Sequence, residues 1–128
     1  MERKNGMERR FDAVTLGEVM LRLSPADGGR LLTAGMLERY PAGAEMNVAV
    51  GLSQLGNSTA LITKLPQDAN AGFILSEAGR WGVSREGVVW DGSPSARTGI
   101  YYFETASAPR KPSAVYDRKN SSINSLRA

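Results

Sequence analysis

The sequence predicts an α/β fold, in which an incomplete parallel sheet carries a small projecting β lid. Short apolar runs alternate with two helical segments between residues 11 and 90. Strands that alternate with helices in this way form parallel sheets with right-handed crossovers. Two further β-like runs, between residues 97 and 118, interrupt the alternation, so we expect them to pair antiparallel and to leave the parallel sheet.

The strands are predicted from short apolar runs that end at turn residues. The runs are Phe11–Leu16, Val19–Leu23, Ala60–Lys64 and Val88–Trp90. The lid strands are predicted at about residues 18–40 and 97–118. In the second of these ranges Thr98–Glu104 and Ala114–Arg118 have β character, and residues 106–113 between them contain two prolines.

Two segments between the strands show features of helices. In residues 45–55 the apolar side chains recur at i, i+4 and i+7, at Val48, Leu52 and Leu55. Gly56 is placed to stop this helix. We expect Asn70 to cap a second helix that ends at Gly82. Gly51 within the first helix costs about 1 kcal/mol relative to Ala, so close packing is expected there.

Length and composition are those of one soluble domain with a modest core. Of 128 residues, 41% are apolar and 23% are charged, and no stretch approaches the ~18 apolar residues of a membrane helix. Residues 1–10 have charges without a following apolar run, which predicts a disordered or expression-derived leader rather than a secretory signal. The net charge of +3 comes from the two ends of the chain. We therefore expect a cytoplasmic protein without a nucleic-acid or membrane partner.

Two residue types are missing from the sequence, which contains no Cys and no His. Their absence excludes disulfides, a thiol nucleophile, a Ser-His-Asp triad and the usual zinc sites, so no metal site is predicted. No GxxxxGK[ST] or GxGxxG motif marks a nucleotide site. Any chemistry must rely on carboxylates, Tyr, Arg, Lys, hydroxyls or backbone groups.

The segment Pro41–Asn47 is the first candidate site. Small residues lead directly into a helix, so free N–H groups and the positive end of the helix dipole face outward. Gly43 allows a ligand to approach the main chain closely, and Asn47 offers the donor and acceptor that suit a sugar hydroxyl. A tight turn with a capping Asn is the alternative.

The predicted lid strands carry the second candidate site, formed by Tyr101, Tyr116 and Arg118. Tyr116 and Arg118 are two residues apart and point to the same face of a strand. A hydroxyl and a guanidinium there could hold a carboxylate or several hydroxyls. An ordinary strand surface is the alternative. In the loop Lys64–Gly72, Asp68 is a further candidate site residue. A solvated turn explains that loop equally well.

Six segments, in this order, resemble the N-terminal part of ribokinase-type (PfkB family) carbohydrate kinases, with the closest likeness to 2-keto-3-deoxygluconate kinases. Together they cover about Phe11–Ser122. The segments are GEVMLRLSP from Gly17, AGAEMNVAVGLSQLG from Ala42, ITKLP from Ile62, WGV from Trp81, RTGIYYFE from Arg97 and VYDR from Val115. The resemblance implies a ribokinase-like three-layer fold, with residues 11–128 as the N-terminal part of one domain.

The resemblance also implies an activity, the transfer of a phosphoryl group from ATP, with Mg²⁺, to the terminal hydroxyl of a sugar acid. The expected reaction converts 2-keto-3-deoxygluconate to its 6-phosphate. In that family the lid closes over the sugar and often forms the dimer contact, so a homo-oligomer through the lid is expected. The substrate-binding residues that carry over are Gly43, Ala44, Glu45, Met46, Asn47, Tyr101, Tyr116 and Arg118.

This sequence departs from the family pattern at several positions. Ala42 replaces the first Gly of a GG pair and Met46 replaces a usual small residue, and either could narrow the pocket. Arg22 stands where many relatives have a sugar-binding Asp, which makes a neutral sugar a weaker expectation. The loop before Gly72 has an extra residue, so Asp68 is not carried over as a site residue.

Members of that family are longer, and the resemblance places the ATP site and the catalytic Asp beyond Ala128. This chain is therefore expected to supply the substrate-binding and lid half, to hold no cofactor, and to be inactive alone. Three alternatives stay open: another PfkB sugar kinase of the fructokinase or ribokinase type, a non-catalytic carbohydrate-binding or dimerisation module, and an inactive truncated fragment.

Overall fold

The structure is a computed structural model that describes residues 9–127. Of the leader predicted at residues 1–10, residues 1–8 lie outside the described residues. The helices are α1 (Ala44–Gln54) and α2 (Ala69–Arg80), and short 3-10 turns lie at Ala26–Gly28 and Ser122–Ser125. The strands are β1 (Ala13–Leu16), β2 (Met20–Pro25), β3 (Leu37–Ala42), β4 (Thr59–Pro66), β5 (Val83–Ser84), β6 (Val88–Asp91), β7 (Gly99–Glu104) and β8 (Ser113–Asp117).

The first sheet is parallel and is built around β4. β1 pairs with β4 along its whole length, from Ala13 opposite Thr59 to Leu16 opposite Ile62. β5 pairs with the start of β4 and β6 with its end, both in parallel. The predicted α/β class with a parallel sheet is confirmed. The two-residue strand β5 was not predicted, because so short a run has no periodicity.

The second sheet has the strand order β3-β2-β7-β8. β2 pairs antiparallel with β3 and parallel with β7, and β8 pairs antiparallel with β7. The antiparallel pairing expected for the last two runs is therefore confirmed. Whether this sheet acts as a lid stays a prediction.

The core joins both helices, the first sheet and one face of the second. Its central members are almost fully buried, and Leu61 and Ile74 have no exposed surface. From the second sheet, Leu21 lies within this cluster, and Leu23 and Ile100 pack against it. Consequently one face of the second sheet is fixed to the core, while its opposite face is left for other contacts.

The first helix buries a different face from the one its apolar spacing marks. Val48 and Leu55 are 53% and 81% exposed, whereas Met46 and Ala49 lie in the core. A Cβ placed on Gly51 would have no neighbour within 4 Å, so the expectation of close packing at Gly51 is wrong. Apolar residues lie around much of this helix, and spacing alone does not say which of them face the sheet.

The ends of the helices follow the expected chemistry with one exception. Gly56 and Gly82 have φ of +90° and +82°, as residues after a helix end often do. The N-cap of α2 is Asp68 rather than Asn70, because the Ala71 N–H donates to Asp68 Oδ1 at 2.8 Å. Asn70 instead lies inside the helix, where its Oδ1 accepts a 3.5 Å hydrogen bond from Arg39.

Among residues 9–127 the structure has no helix with the length and apolar character that crossing a membrane would require.

Candidate functional site

Four residues form a row across the outer face of the second sheet, and we call this set the aromatic row. Arg22 on β2 lies opposite Tyr40 on β3 and opposite Tyr101 on β7, and Tyr101 lies opposite Tyr116 on β8. Directly opposed residues of paired strands place their side chains on the same face. The strand register therefore brings Tyr40, Arg22, Tyr101 and Tyr116 together.

Contacts between the side chains of the aromatic row hold their rings and the guanidinium group in position. The rings of Tyr101 and Tyr116 stack with centroids 5.3 Å apart and an interplanar angle of 26°. The guanidinium carbon of Arg22 lies 4.3 Å from the Tyr40 ring centroid and 5.8 Å from that of Phe103. Tyr116 is nevertheless 58% exposed, so the row presents an open surface on which a ligand could stack and form hydrogen bonds.

The Tyr40 end of the row carries an acidic neighbour. The Tyr40 hydroxyl donates a short hydrogen bond to the Glu38 carboxylate. This bond raises the pKa of Tyr40, because Glu38 holds the phenolic proton in place. The negative charge of Glu38 therefore lies on the β3 side of the row.

Arg118 lies on the same face as Tyr116 but is already paired. Its Nη2 is 2.5 Å from Glu18 Oε2, and Glu18 Oε1 accepts a 2.6 Å hydrogen bond from the Ser121 hydroxyl. The Glu18 side chain is only 9% exposed. The carboxylate thus neutralises the guanidinium that the sequence proposed as an anion partner.

Glu18 was not among the predicted site residues. It follows β1 by two positions, at the carboxyl end of a parallel strand, where ligand-binding groups of α/β sheets gather. The position of Glu18 after β1, within the GEVMLRLSP segment, is the sequence feature that could have identified it as a site residue.

The entry to α1 touches the same acidic residue. β3 ends at Ala42, and Gly43 leads into the helix. A Cβ on Gly43 would lie 2.6 Å from the Glu18 carbonyl oxygen, so a larger residue would clash with the main chain. The close approach places the first turn of α1 beside the Glu18–Arg118 pair.

The remaining predicted residues of this segment point in different directions. Ala44 and Asn47 are exposed. The Glu45 side chain packs against Gly17, where it fills the space that a Cβ would occupy. Met46 is 4% exposed and belongs to the core, so its side chain does not reach the open face. The role of all these residues in substrate binding stays a prediction.

A second polar cleft, of about 250 Å³, lies near the carboxyl ends of β4 and β6. The Ser122 hydroxyl and the Ser93 N–H both donate to Asp91, and these bonds lower the pKa of Asp91 below its ordinary value. Lys64 Nζ donates to the Ser125 carbonyl at 3.2 Å. These contacts fasten the segment after β8 to the first sheet, which makes the cleft a structural junction.

The described residues contain no cluster of three or more acidic side chains suited to a metal ion.

The comparisons identify relatives along almost the whole chain. A family model described as pfkB family carbohydrate kinase matches residues 10–127. The chain is 43% identical over 116 residues to the 2-dehydro-3-deoxygalactonokinase of Haloferax volcanii, covering 91% of this chain and 36% of the relative. It is 34% identical over 119 residues to the 2-dehydro-3-deoxygluconokinase of Bacillus subtilis, with coverage of 91% and 36%.

Solved structures give the same result for the fold. The crystal structure of 2-dehydro-3-deoxygluconokinase from Thermotoga maritima superposes with a TM-score of 0.85 at 35% identity, covering 90% of this chain and 34% of that one. An uncharacterized sugar kinase from Pyrococcus horikoshii in complex with ATP gives a TM-score of 0.76 at 29% identity, with coverage of 87% and 35%. The chain therefore spans about a third of the length of the relatives it matches.

Proposed function

The chain belongs to the pfkB family of carbohydrate kinases, and on that premise we propose that the whole protein phosphorylates a sugar acid with ATP. The first substrate to test is 2-keto-3-deoxygluconate (2-dehydro-3-deoxygluconate), converted to its 6-phosphate. This chain would supply the substrate-binding surface, with the second sheet as its lid. The whole protein would work in the cytoplasm.

One observation carries the proposal: Tyr101, Tyr116 and Arg118 share the open face of the second sheet, beside the entry to α1 at Gly43. Aromatic rings and hydroxyls suit a polyhydroxylated ligand, and the tight main-chain approach at Gly43 leaves helix N–H groups near it. Two relatives whose names specify kinases of keto-deoxy sugar acids support the same substrate class.

The galacto epimer is a second candidate substrate, favoured by one observation. Identity to the relative named 2-dehydro-3-deoxygalactonokinase is 43%, against 34% to the gluconokinase. The two acids differ by the inversion of one hydroxyl, which only the pocket geometry distinguishes.

The chain spans about a third of the length of the relatives it matches. On this proposal the rest of the whole protein holds ATP and Mg²⁺ and carries out the phosphoryl transfer, and this chain supplies substrate binding.

The second sheet is also the proposed contact of a homo-oligomer. All five residues of β8 are exposed, among them Val115 and Tyr116 at 58% each. The test compares the sedimentation of the wild-type whole protein with that of a variant in which a charged residue replaces Val115.

The proposed activity is tested by assaying the whole protein with ATP and Mg²⁺ against a panel of acceptors. The panel contains 2-keto-3-deoxygluconate, its galacto epimer, 5-keto-2-deoxygluconate, fructose and ribose. We expect turnover of the keto-deoxy acids, and no turnover by the 128-residue chain alone. Turnover of fructose or ribose without any sugar acid would reassign the protein to a sister kinase.

A further inference from the structure

The two guanidinium groups on the outer face of the second sheet differ in their partners. Arg118 is paired with Glu18 at 2.5 Å. Arg22 makes no ion pair with any residue from 9 to 127, and its Nε is buried without a hydrogen-bond partner. Of these two guanidinium groups, only that of Arg22 therefore lacks an ion-pair partner among residues 9–127.

An unpaired, buried charged donor is costly, and native proteins rarely keep one without a use. Arg22 is also held in position, because its guanidinium stacks over the Tyr40 ring at 4.3 Å and lies 5.8 Å from the Phe103 ring. These contacts orient the planar group, and its buried Nε–H has no acceptor among residues 9–127. The arrangement is that of a preorganised anion receptor.

We propose that Arg22 determines the specificity for an acidic substrate by binding its carboxylate; this inference rests on the proposed sugar-acid kinase activity. A guanidinium fork matches a carboxylate with two parallel hydrogen bonds. A neutral analogue would leave the charge of Arg22 uncompensated, and a polar group of a binding site that is left unpaired discriminates strongly against the wrong ligand.

The surrounding charges define the side on which the carboxylate binds. Glu38 lies on the β3 side of Arg22, where it accepts the hydrogen bond of the Tyr40 hydroxyl. Its charge repels an anion there. Asp27 lines the same cavity of about 230 Å³ as Arg22 and Glu38, so an anion is repelled from that cavity as well. Tyr101 lies opposite Arg22 on the β7 side. On this proposal the carboxylate approaches Arg22 from the β7 side.

The test compares two acceptors in the whole protein: 2-keto-3-deoxygluconate and its carboxamide, which has the same shape without the charge. In the Arg22→Gln variant we expect kcat/KM for the acid to fall by about 30-fold or more, mainly through KM, while the value for the amide changes little. Arg22→Lys keeps the charge but loses the fork, and should restore part of the preference for the acid. Glu38→Gln should lower KM for the acid, because it removes a nearby like charge.

Arg39 provides the matched control. It lies on the opposite face of the same sheet, 4.2 Å from the Phe73 ring centroid, so Arg39→Gln should leave the ratio of acid to amide unchanged. An unchanged ratio in Arg22→Gln, in an enzyme that still phosphorylates the acid, overturns the role of Arg22 and leaves the proposed function standing. A rise in KM for ATP instead would assign Arg22 to phosphate and also overturn it. A wild-type protein that phosphorylates no sugar acid overturns both proposals.

Discussion

The two sheets of this molecule use their faces differently. In the first sheet the central strand β4 is almost entirely buried, with six of its eight residues inside, and it carries ordinary apolar side chains and threonines. The second sheet buries only one face, while its other face carries tyrosines, arginines and acidic residues, and β8 is exposed throughout. The first sheet therefore supplies the most deeply buried strand of the core, whereas the outer face of the second is the surface on which we propose that the substrate binds.

The largest expected effect is on stability and concerns the first sheet. Leu61→Ala removes a fully buried side chain from β4 and should lower the free energy of unfolding by about 2–5 kcal/mol. Its control, Leu32→Ala between β2 and β3, removes an apolar side chain that is 81% exposed and should cost less than about 0.5 kcal/mol. Urea unfolding measures both, and similar losses would remove the distinction between the sheets.

The next largest expected effect is a rise in KM for the sugar acid, and it concerns the second sheet. Tyr116→Ala removes a ring that is 58% exposed on the outer face, and should raise KM for the sugar acid by up to about tenfold, if a ring–ligand contact is worth what an aromatic pair is, ~0.5–1.5 kcal/mol. Tyr116→Phe keeps the ring and isolates the contribution of the hydroxyl. Unaltered steady-state kinetics in Tyr116→Ala would show that the outer face does not bind the substrate.

A pH-dependent effect is expected where the two regions are joined. The pKa of Asp91 is lowered from 3.8 by the Ser122 hydroxyl and the Ser93 N–H. Its folded-state pKa lies below the unfolded value, so its contribution to stability is present above about pH 4 and is lost as the pH falls through the folded pKa. Asp91→Asn should therefore be less stable than the wild type near neutral pH, and the difference should shrink near pH 2. A difference that is constant across urea titrations at these pH values would contradict this account.

The smallest effect concerns the outer side of α1. Gly51→Ala introduces a methyl group where nothing lies within 4 Å, and should raise stability by about 0.5–1 kcal/mol through helix propensity. Thermal unfolding measures the gain, with Gly43→Ala as a destabilising comparison because a Cβ there meets the Glu18 carbonyl oxygen. A loss of stability in Gly51→Ala would mean that another part of the whole protein packs on this helix.

The order of elements was predictable because each has a local signature. The alternation of apolar runs with helical spacing predicted β1, α1, β4, α2 and β6, and the glycines after each helix marked where the helices end. The spacing of Tyr116 and Arg118 placed both on one strand face.

Other features depend on tertiary contacts that a pattern does not contain. The face of α1 that packs inward is chosen by the fit of Met46 and Ala49 against the sheet, and not by the larger exposed residues Val48 and Leu55. Asp and Asn cap helices almost equally well, so the sequence alone did not show that Asp68, and not Asn70, is the N-cap of α2. The pairing of Arg118 with Glu18 joins residues 100 positions apart, so only the fold reveals that Arg118 has an ion-pair partner within the chain.

The crowding around Glu18 has a consequence for anyone who wishes to retarget this protein by directed evolution. A Cβ at Gly43 would lie 2.6 Å from the Glu18 carbonyl oxygen, and a Cβ at Gly99 would lie 2.6 Å from its Oε1. A library randomised at these two codons would lose most clones to steric exclusion before any new substrate is tried. The side chains at codons 22, 40, 101 and 116 lie on the outer face of the second sheet instead, so diversity there changes the proposed binding surface and leaves the packing of the core intact.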